Sequence, residues 1–129
     1  MPELSKPEID FPGEDPPAEL VVEDITVGDG PEAVAGQGIS AHYVGVSWST
    51  GEEFDASWNR GSTLDFTVGV GQVIQGWDQG LLGMRVGGRR RIVVPPHLGY
   101  GDRGAGQVIA PGETLIFVVD LMDVRSPRR

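Results

Sequence analysis

The sequence has no cysteine, one lysine and no long apolar run. Without cysteine the chain can form no disulfide, no thiolate metal site and no thiol nucleophile. Its apolar stretches are far shorter than the roughly 20 residues that a membrane-spanning helix needs. The N-terminus also lacks the basic and then apolar pattern of a secretion signal. We therefore expect a cytoplasmic protein without membrane contact.

Negative charge is concentrated at the N-terminal end. Residues 1–32 hold ten acidic residues and Lys6, whereas acidic and basic residues balance in 33–129. A body without net charge has no field suited to nucleic acid, so we expect no such partner. Acidic residues and prolines dominate residues 1–19, which are predicted to be a disordered solvating tail. An alternative is that this tail binds a partner or acts as an autoinhibitory strand.

The remaining pattern predicts one α+β domain over residues 20–124, with residues 125–129 as a frayed C-terminus. Twenty glycines and ten prolines indicate many turns and short strands. Apolar residues alternate in several segments, as in Ile39, Ala41 and Tyr43, which is typical of strands with one buried face. One short helix is predicted near Trp77. We expect an antiparallel sheet of five to six strands curled over that helix.

Several motifs lead to no catalytic or cofactor site. The G-x-G-x-x-G pattern of 99–104 binds dinucleotides only when a helix follows, and a loop is predicted there. The arginine triplet 89–91 is either a phosphate patch or a solvated strand edge, and we favour the edge. His42 and His97 are far apart, so no metal site is expected. No serine lies in a nucleophile elbow.

The chain does contain aromatic and aliphatic residues at predicted strand ends and turns. A buried core position is the simplest interpretation of Trp77 taken alone. Its neighbours instead favour an apolar bowl, with Asp55 and Arg60 at its edge. The candidate members of that bowl are Tyr43, Phe54, Leu64, Val73, Ile74, Trp77, Tyr100, Ile109 and Phe117.

Six sequence blocks carry a family resemblance over residues 20–124. They are AHYVG, GEEFDAS, VGVGQVIQGWDQGLLGM, VGGRRRIVVPP, LGYG and PGETLIFVVDL. In this order and spacing they resemble the FKBP-type peptidyl-prolyl cis–trans isomerases. The resemblance implies a half-barrel of antiparallel strands wrapped around one short α-helix. It also implies an active site between helix and sheet.

The resemblance further implies roles for individual residues. Trp77 becomes the floor under the substrate proline, Tyr100 donates its hydroxyl to a substrate carbonyl, and Asp55 is the pocket carboxylate. The expected catalytic set is Asp55, Tyr100, Trp77, Phe54 and Phe117. The expected substrate-binding set is Tyr43, Arg60, Leu64, Gln72, Val73, Ile74, Val108 and Ile109. The sequence departs from the common family pattern at Leu64, Gln72 and Ala105, where Phe, Glu and His are frequent.

The expected activity is rotation about X–Pro peptide bonds in proline-containing polypeptides during protein folding. It needs no cofactor, no metal and no covalent intermediate. Rapamycin-type macrolides are expected ligands, and a monomer is the expected state. The alternative is a non-catalytic module that binds proline or other apolar ligands. The presence of Trp77, Asp55 and Tyr100 together favours the enzyme.

Overall fold

The computed structural model describes residues 6–7, 9, 15–101, 103–105 and 109–125. The helix α1 spans Gln75–Gly80, and two 3-10 turns span Ser57–Arg60 and Pro96–Leu98. The strands are β1 (Val21–Thr26), β2 (Gly38–Ser47), β3 (Glu53–Ala56), β4 (Leu64–Thr67), β5 (Arg89–Val94) and β6 (Leu115–Arg125). Within the described part of the chain, no helix is long and apolar enough to span a membrane.

The six strands form one sheet in the order β1-β5-β6-β2-β3, with β4 also paired to β2. Every pair of neighbouring strands is antiparallel. The open sheet with one short helix confirms the predicted α+β fold. Because α1 lies on one face of the sheet, the two faces differ in what covers them.

Strand β2 carries two partners along one edge, and a gap separates them. Its residues from Gly38 to Ala41 pair with β4, and those from Val44 onward pair with β3. In the gap, the Tyr43 N–H donates to Ser57 Oγ at 2.7 Å. The buried Ser57 therefore anchors the first 3-10 turn to the sheet.

The two faces of the sheet hold separate apolar clusters. The inner cluster packs against α1 and includes the predicted inward set of Ile39, Ala41 and Tyr43. The outer cluster consists of Val44, Val46, Trp48, Ala56, Val93 and Ile116. Alternation along the strands produces this division, since successive side chains point to opposite faces.

Helix α1 lies very close to β5 because two of its residues have no side chain. A Cβ on Gly76 would lie 2.6 Å from Val94 Cγ1, and one on Gly80 would lie 2.9 Å from Ile92 Cγ2. The φ of Gly76 is not among the positive values, so close packing against β5, and not backbone freedom, is the reason for this glycine.

The prediction that the arginine triplet is a solvated edge is wrong. Arg90 is buried and donates to the Gly80 and Leu82 carbonyls at 2.9 and 3.1 Å. These carbonyls lie at the C-terminal end of α1, where backbone acceptors lack helical partners. Arg90 also pairs with Asp24 at 2.7 Å, and Arg89 pairs with Asp120 at the same distance.

Among the described residues, both ends of the chain contact the sheet more extensively than the sequence predicted. Arg125 belongs to β6, where it pairs with Gly38 and donates to Ser40 Oγ at 2.7 Å. It was predicted to fray. At the other end, Ile9 packs against the outer cluster and Lys6 contacts Glu53.

Candidate functional site

A cleft of about 530 Å³ opens between the N-terminal side of α1 and the inner face of the sheet. Most of its lining is aromatic or aliphatic, with one carboxylate. It is lined by Tyr43, Phe54, Asp55, Leu64, Gly71, Gln72, Val73, Ile74, Trp77, Tyr100 and Phe117. The structure thus brings together ten of the thirteen residues predicted for the site.

Aromatic rings packed edge to face form the base of the cleft. Trp77 is 4% exposed, and its ring centroid lies 5.0 Å from Tyr43 and 5.2 Å from Phe117. Phe54 meets Phe117 at 5.6 Å in the same geometry. Such contacts fix ring orientation as well as burying apolar area. The base is therefore a rigid apolar surface, with the Trp77 ring packed against both Tyr43 and Phe117.

A β-bulge explains why two consecutive residues of β3 both face the cleft. Gly45 pairs with Asp55, but the next residue Val46 pairs with Glu53, so Phe54 is the extra residue. A bulge breaks the alternation of side chains along its strand. Phe54 and Asp55 therefore line the cleft together, whereas Ala56 lies in the outer cluster.

One wall carries a closed triangle of polar side chains. The Tyr43 hydroxyl donates to Asp55 Oδ2 in a short hydrogen bond, and Arg60 Nη1 donates to Asp55 Oδ1 at 2.7 Å. Arg60 Nη2 also donates to the Tyr43 hydroxyl at 2.9 Å. The Ala56 N–H completes the shell of Asp55 at 2.9 Å. Each oxygen of the carboxylate is thus bound by a donor, which holds it ionised and fixed.

These contacts move the pKa values of two groups apart. Burial alone would raise the Asp55 pKa, but the hydrogen bonds from Tyr43 and Arg60 outweigh it and lower the pKa overall. Burial, reinforced by the bond to Asp55, raises the pKa of Tyr43. Around neutral pH the wall therefore holds a carboxylate, a neutral phenol and a guanidinium.

The loop before α1 forms the opposite wall and is held by side-chain acceptors. Asp78 accepts the N–H groups of Gly69 and Gly71 at 2.8 and 2.9 Å, and Gln72 Oε1 accepts the Thr67 N–H at 2.8 Å. Both glycines have positive φ, where other residues are strained. Gly71 lines the cleft, and sequence reasoning missed it.

Two donors at the rim are free of partners among the described residues. The Ile74 N–H makes no hydrogen bond there, although the Ile74 carbonyl accepts from Trp77 and Asp78. The Tyr100 hydroxyl has no such partner either, and the side chain is 41% exposed. Both groups are placed to meet an acceptor on a bound molecule.

Gly45 is a second residue that sequence reasoning missed. A Cβ at this position would lie 2.6 Å from Phe54 Cζ and 2.8 Å from Phe117 Cε1. The absent side chain is what lets these two rings meet below the cleft. A glycine at an inward position of an alternating strand is a recognisable signal of close approach.

Three predicted site residues are not on the cleft surface as described. Arg60 is not among the lining residues and reaches the cleft only through its contacts with Asp55 and Tyr43. Ile109 is 4% exposed in the inner cluster, and its backbone pairs with Ala105. The resemblance also implies a position under a flap, which agrees with this burial and stays a prediction. Val108 lies outside the described residues.

Among the described residues, no group of three or more histidine, aspartate or glutamate side chains could hold a metal ion. Asp55 uses its oxygens for Tyr43, Arg60 and the Ala56 N–H. The cleft therefore offers shape, apolar surface and fixed donors.

Known proteins match this chain over the whole of the site. Residues 30–122 match the family model described as FKBP-type peptidyl-prolyl cis-trans isomerase. An FK506-binding protein of Streptomyces anulatus is 67% identical over 122 residues, covering 94% of this chain and 98% of that protein. A probable FK506-binding protein of Corynebacterium glutamicum is 46% identical over 119 residues, covering 92% and 98%.

Solved structures give the same result. The crystal structure of AtFKBP13 superposes with a TM-score of 0.76 at 45% identity, covering 83% of this chain and 93% of that chain. FkpA from Escherichia coli gives a TM-score of 0.76 at 35% identity, covering 84% of this chain and 49% of that chain. The range matched by the family model contains all of the residues that line the cleft.

Proposed function

The chain belongs to the family of FKBP-type peptidyl-prolyl cis–trans isomerases, and we propose that its cleft accelerates X–Pro rotation without covalent or metal chemistry. The observation that carries this proposal is the cleft itself. Its base is the aromatic set around Trp77, and the one carboxylate among its described lining residues is already bound by three donors. A group so occupied is suited to fix a wall, and poorly suited to attack a substrate or move its protons.

The chemistry of amide rotation fits such a cleft. Resonance gives the peptide C–N bond partial double-bond character, so uncatalysed X–Pro rotation takes roughly tens to hundreds of seconds. At the twisted transition state this resonance is lost, and the carbonyl becomes less polar. An apolar site that displaces water therefore favours the twisted state over the hydrated planar one.

The free donors at the rim supply orientation. The Ile74 N–H and the Tyr100 hydroxyl would each bind a carbonyl of the substrate that flanks the rotating bond. Trp77 would support the proline ring from below. Holding both ends of the peptide while the middle bond turns lowers the entropic part of the barrier. Because the rim is apolar, peptides with Leu or Phe before proline should be the best substrates.

Exchange spectroscopy on a panel of X–Pro peptides tests the activity. The wild type should accelerate exchange, equally with and without EDTA. Trp77→Leu should lower kcat/KM by at least about tenfold, because the floor is lost, which corresponds to about 1.4 kcal/mol. Trp48→Phe, a change in the outer cluster, should leave the rate unchanged. No acceleration by the wild type would indicate a non-catalytic binding module, and loss in EDTA would contradict the metal-free mechanism.

We also propose that rapamycin-type macrolides bind in this cleft and inhibit. Relatives named FK506-binding proteins support this proposal, as do the size and apolar lining of the cleft. Leu64 offers less surface at the rim than an aromatic side chain would, which should weaken binding. Titration calorimetry should therefore show tighter rapamycin binding by Leu64→Phe than by the wild type. Equal or weaker binding by the variant would contradict the role given to the rim.

A further inference from the structure

The N-terminal residues that the structure describes lie on the outer face of the sheet, directly behind one wall of the cleft. Ile9 packs against the outer cluster of Val44, Val46, Trp48, Ala56, Val93 and Ile116. Lys6, Pro7 and Ile9 also border a cavity of about 500 Å³, together with Val44, Val46, Gly51 and Glu53. This segment thus contacts the outer side of the stretch of β2 and β3 whose inner side carries Tyr43 and Asp55. We call these two residues, together with Arg60, the charged wall.

Lys6 closes a ring of three polar side chains on this face. Its Nζ lies 2.8 Å from Glu53 Oε1 and donates to Asn59 Oδ1 at 2.9 Å. Asn59 Nδ2 in turn donates to Glu53 Oε2 at 2.9 Å. The bond from Lys6 is the main cause of a lowered Glu53 pKa. Lys6 is the only lysine of the chain, so no other lysine side chain can replace it.

The ring joins the two ends of the segment that builds the charged wall. Glu53 precedes the bulge that turns Asp55 into the cleft, and Asn59 directly precedes Arg60. The outer ring and the inner contact between Arg60 and Asp55 therefore restrain the same eight residues, 53–60, from opposite faces. A shift of the 3-10 turn would move Asn59 and Arg60 together.

We propose that Lys6 is a positioning residue for the isomerase, which holds Arg60 in place against Asp55 and Tyr43 from the far side of the sheet. This inference rests on the proposed function of the cleft. It assigns the described N-terminal residues a part in catalysis, where the sequence favoured a solvating tail over a tail that binds a partner or inhibits. The Lys6 and Glu53 side chains are 38% and 33% exposed, so the ring is open to salt.

Kinetics of Lys6→Met measure the proposed effect. We expect kcat/KM at low salt to fall about threefold, the size that a partly exposed ion pair can contribute. Lys6→Arg should restore most of the rate, because it keeps the charge and the donors. Arg85→Met removes a surface cation that pairs with Glu32, away from the cleft, and should leave the rate unchanged.

A double-mutant cycle with Arg60→Met decides whether Lys6 acts through Arg60. In that background Lys6→Met should cause no further loss, since the group that it positions is already gone. A second readout is the NMR signals of the Arg60 Nη protons, which should be separate in the wild type and averaged by rotation in Lys6→Met.

Three results would overturn the proposal: an unchanged rate in Lys6→Met, an equal threefold loss in the Arg60→Met background, or unchanged Arg60 signals. An inactive wild type would instead refute the proposed function of the cleft. The two failures are therefore distinguishable in one set of assays.

Discussion

Two of the aspartate–arginine pairs on this sheet have the same separation but different surroundings. Asp55 and Arg60 meet at 2.7 Å on the wall of the cleft, with side chains 43% and 48% exposed. Asp120 and Arg89 meet at 2.7 Å on β6 and β5, where Asp120 is only 2% exposed. Pairing with arginine therefore does not by itself mark a functional carboxylate.

The pKa values separate the two pairs. Burial raises the Asp120 pKa, and the bond from Arg89 offsets this only in part. Burial of Asp55 acts in the same direction, but Tyr43 and Arg60 together reverse it. Asp55 is thus stabilised as an anion beside a cleft, whereas Asp120 is an anion held at a cost inside the sheet. The first arrangement suits a site, and the second supports the fold.

The largest effect that we expect on stability is at the buried pair. Asp120→Ala should cost about 3 kcal/mol, because it breaks an ion pair whose carboxylate is buried inside the sheet. The melting temperature should then fall by about 10 °C. At a temperature where the variant is folded, kcat/KM should match the wild type.

Asp123→Ala provides the control for this prediction. Asp123 lies on the same strand and pairs with Arg125 at 3.7 Å, but its side chain is 62% exposed. Its loss should change stability by no more than about 0.5 kcal/mol. Equal melting temperatures for Asp120→Ala and Asp123→Ala would contradict the claim that the buried pair of Asp120 and Arg89 supports the fold.

At the exposed pair of Asp55 and Arg60 we expect a large effect on activity and a small effect on stability. Asp55→Asn keeps the shape of the side chain but removes its charge, so Tyr43 and Arg60 are held less firmly. We expect kcat/KM to fall about tenfold, or about 1.4 kcal/mol. Stability should change by less than about 1 kcal/mol, since the pair is solvent-exposed. Thermal melting and peptide exchange on the same samples provide both numbers.

Asp65→Asn makes the same chemical change on β4, outside the cleft, and should alter neither quantity. Full activity in Asp55→Asn would show that the charge on the wall is dispensable. A collapse of stability in that variant would place Asp55 in the same class as Asp120.

The sequence predicted the alternating strands, the position of α1 and most of the cleft, and it did so for different reasons. Strands follow from local periodicity, as Ile39, Ala41 and Tyr43 illustrate. The cleft residues followed from the order of the family blocks. By contrast, the bulge at Phe54 depends on how β3 registers against β2, which no local pattern encodes.

Long-range polar contacts were the main failure of sequence reasoning. Arg90 reads as a surface residue, yet it binds the end of α1, which precedes it by about ten positions. Lys6 reads as part of a tail, yet its partner Glu53 lies in β3. Such pairs form only once the fold has brought distant segments together, so composition and periodicity carry no signal for them.

In the proposed mechanism the cleft turns the X–Pro bond without moving a proton. The pH profile of kcat/KM, measured with its solvent deuterium isotope effect, tests it most directly. The pKa of Asp55 is lowered and that of Tyr43 is raised, so neither changes charge between about pH 5 and pH 9. A flat profile and an isotope effect near unity are therefore predicted.

His42 Nδ1 lies 2.8 Å from Ser57 Oγ. The profile of His42→Asn, which removes this imidazole, is measured in parallel and should match that of the wild type. A bell-shaped profile in both proteins, or a large solvent isotope effect, would contradict the account and make Asp55 an acid–base group.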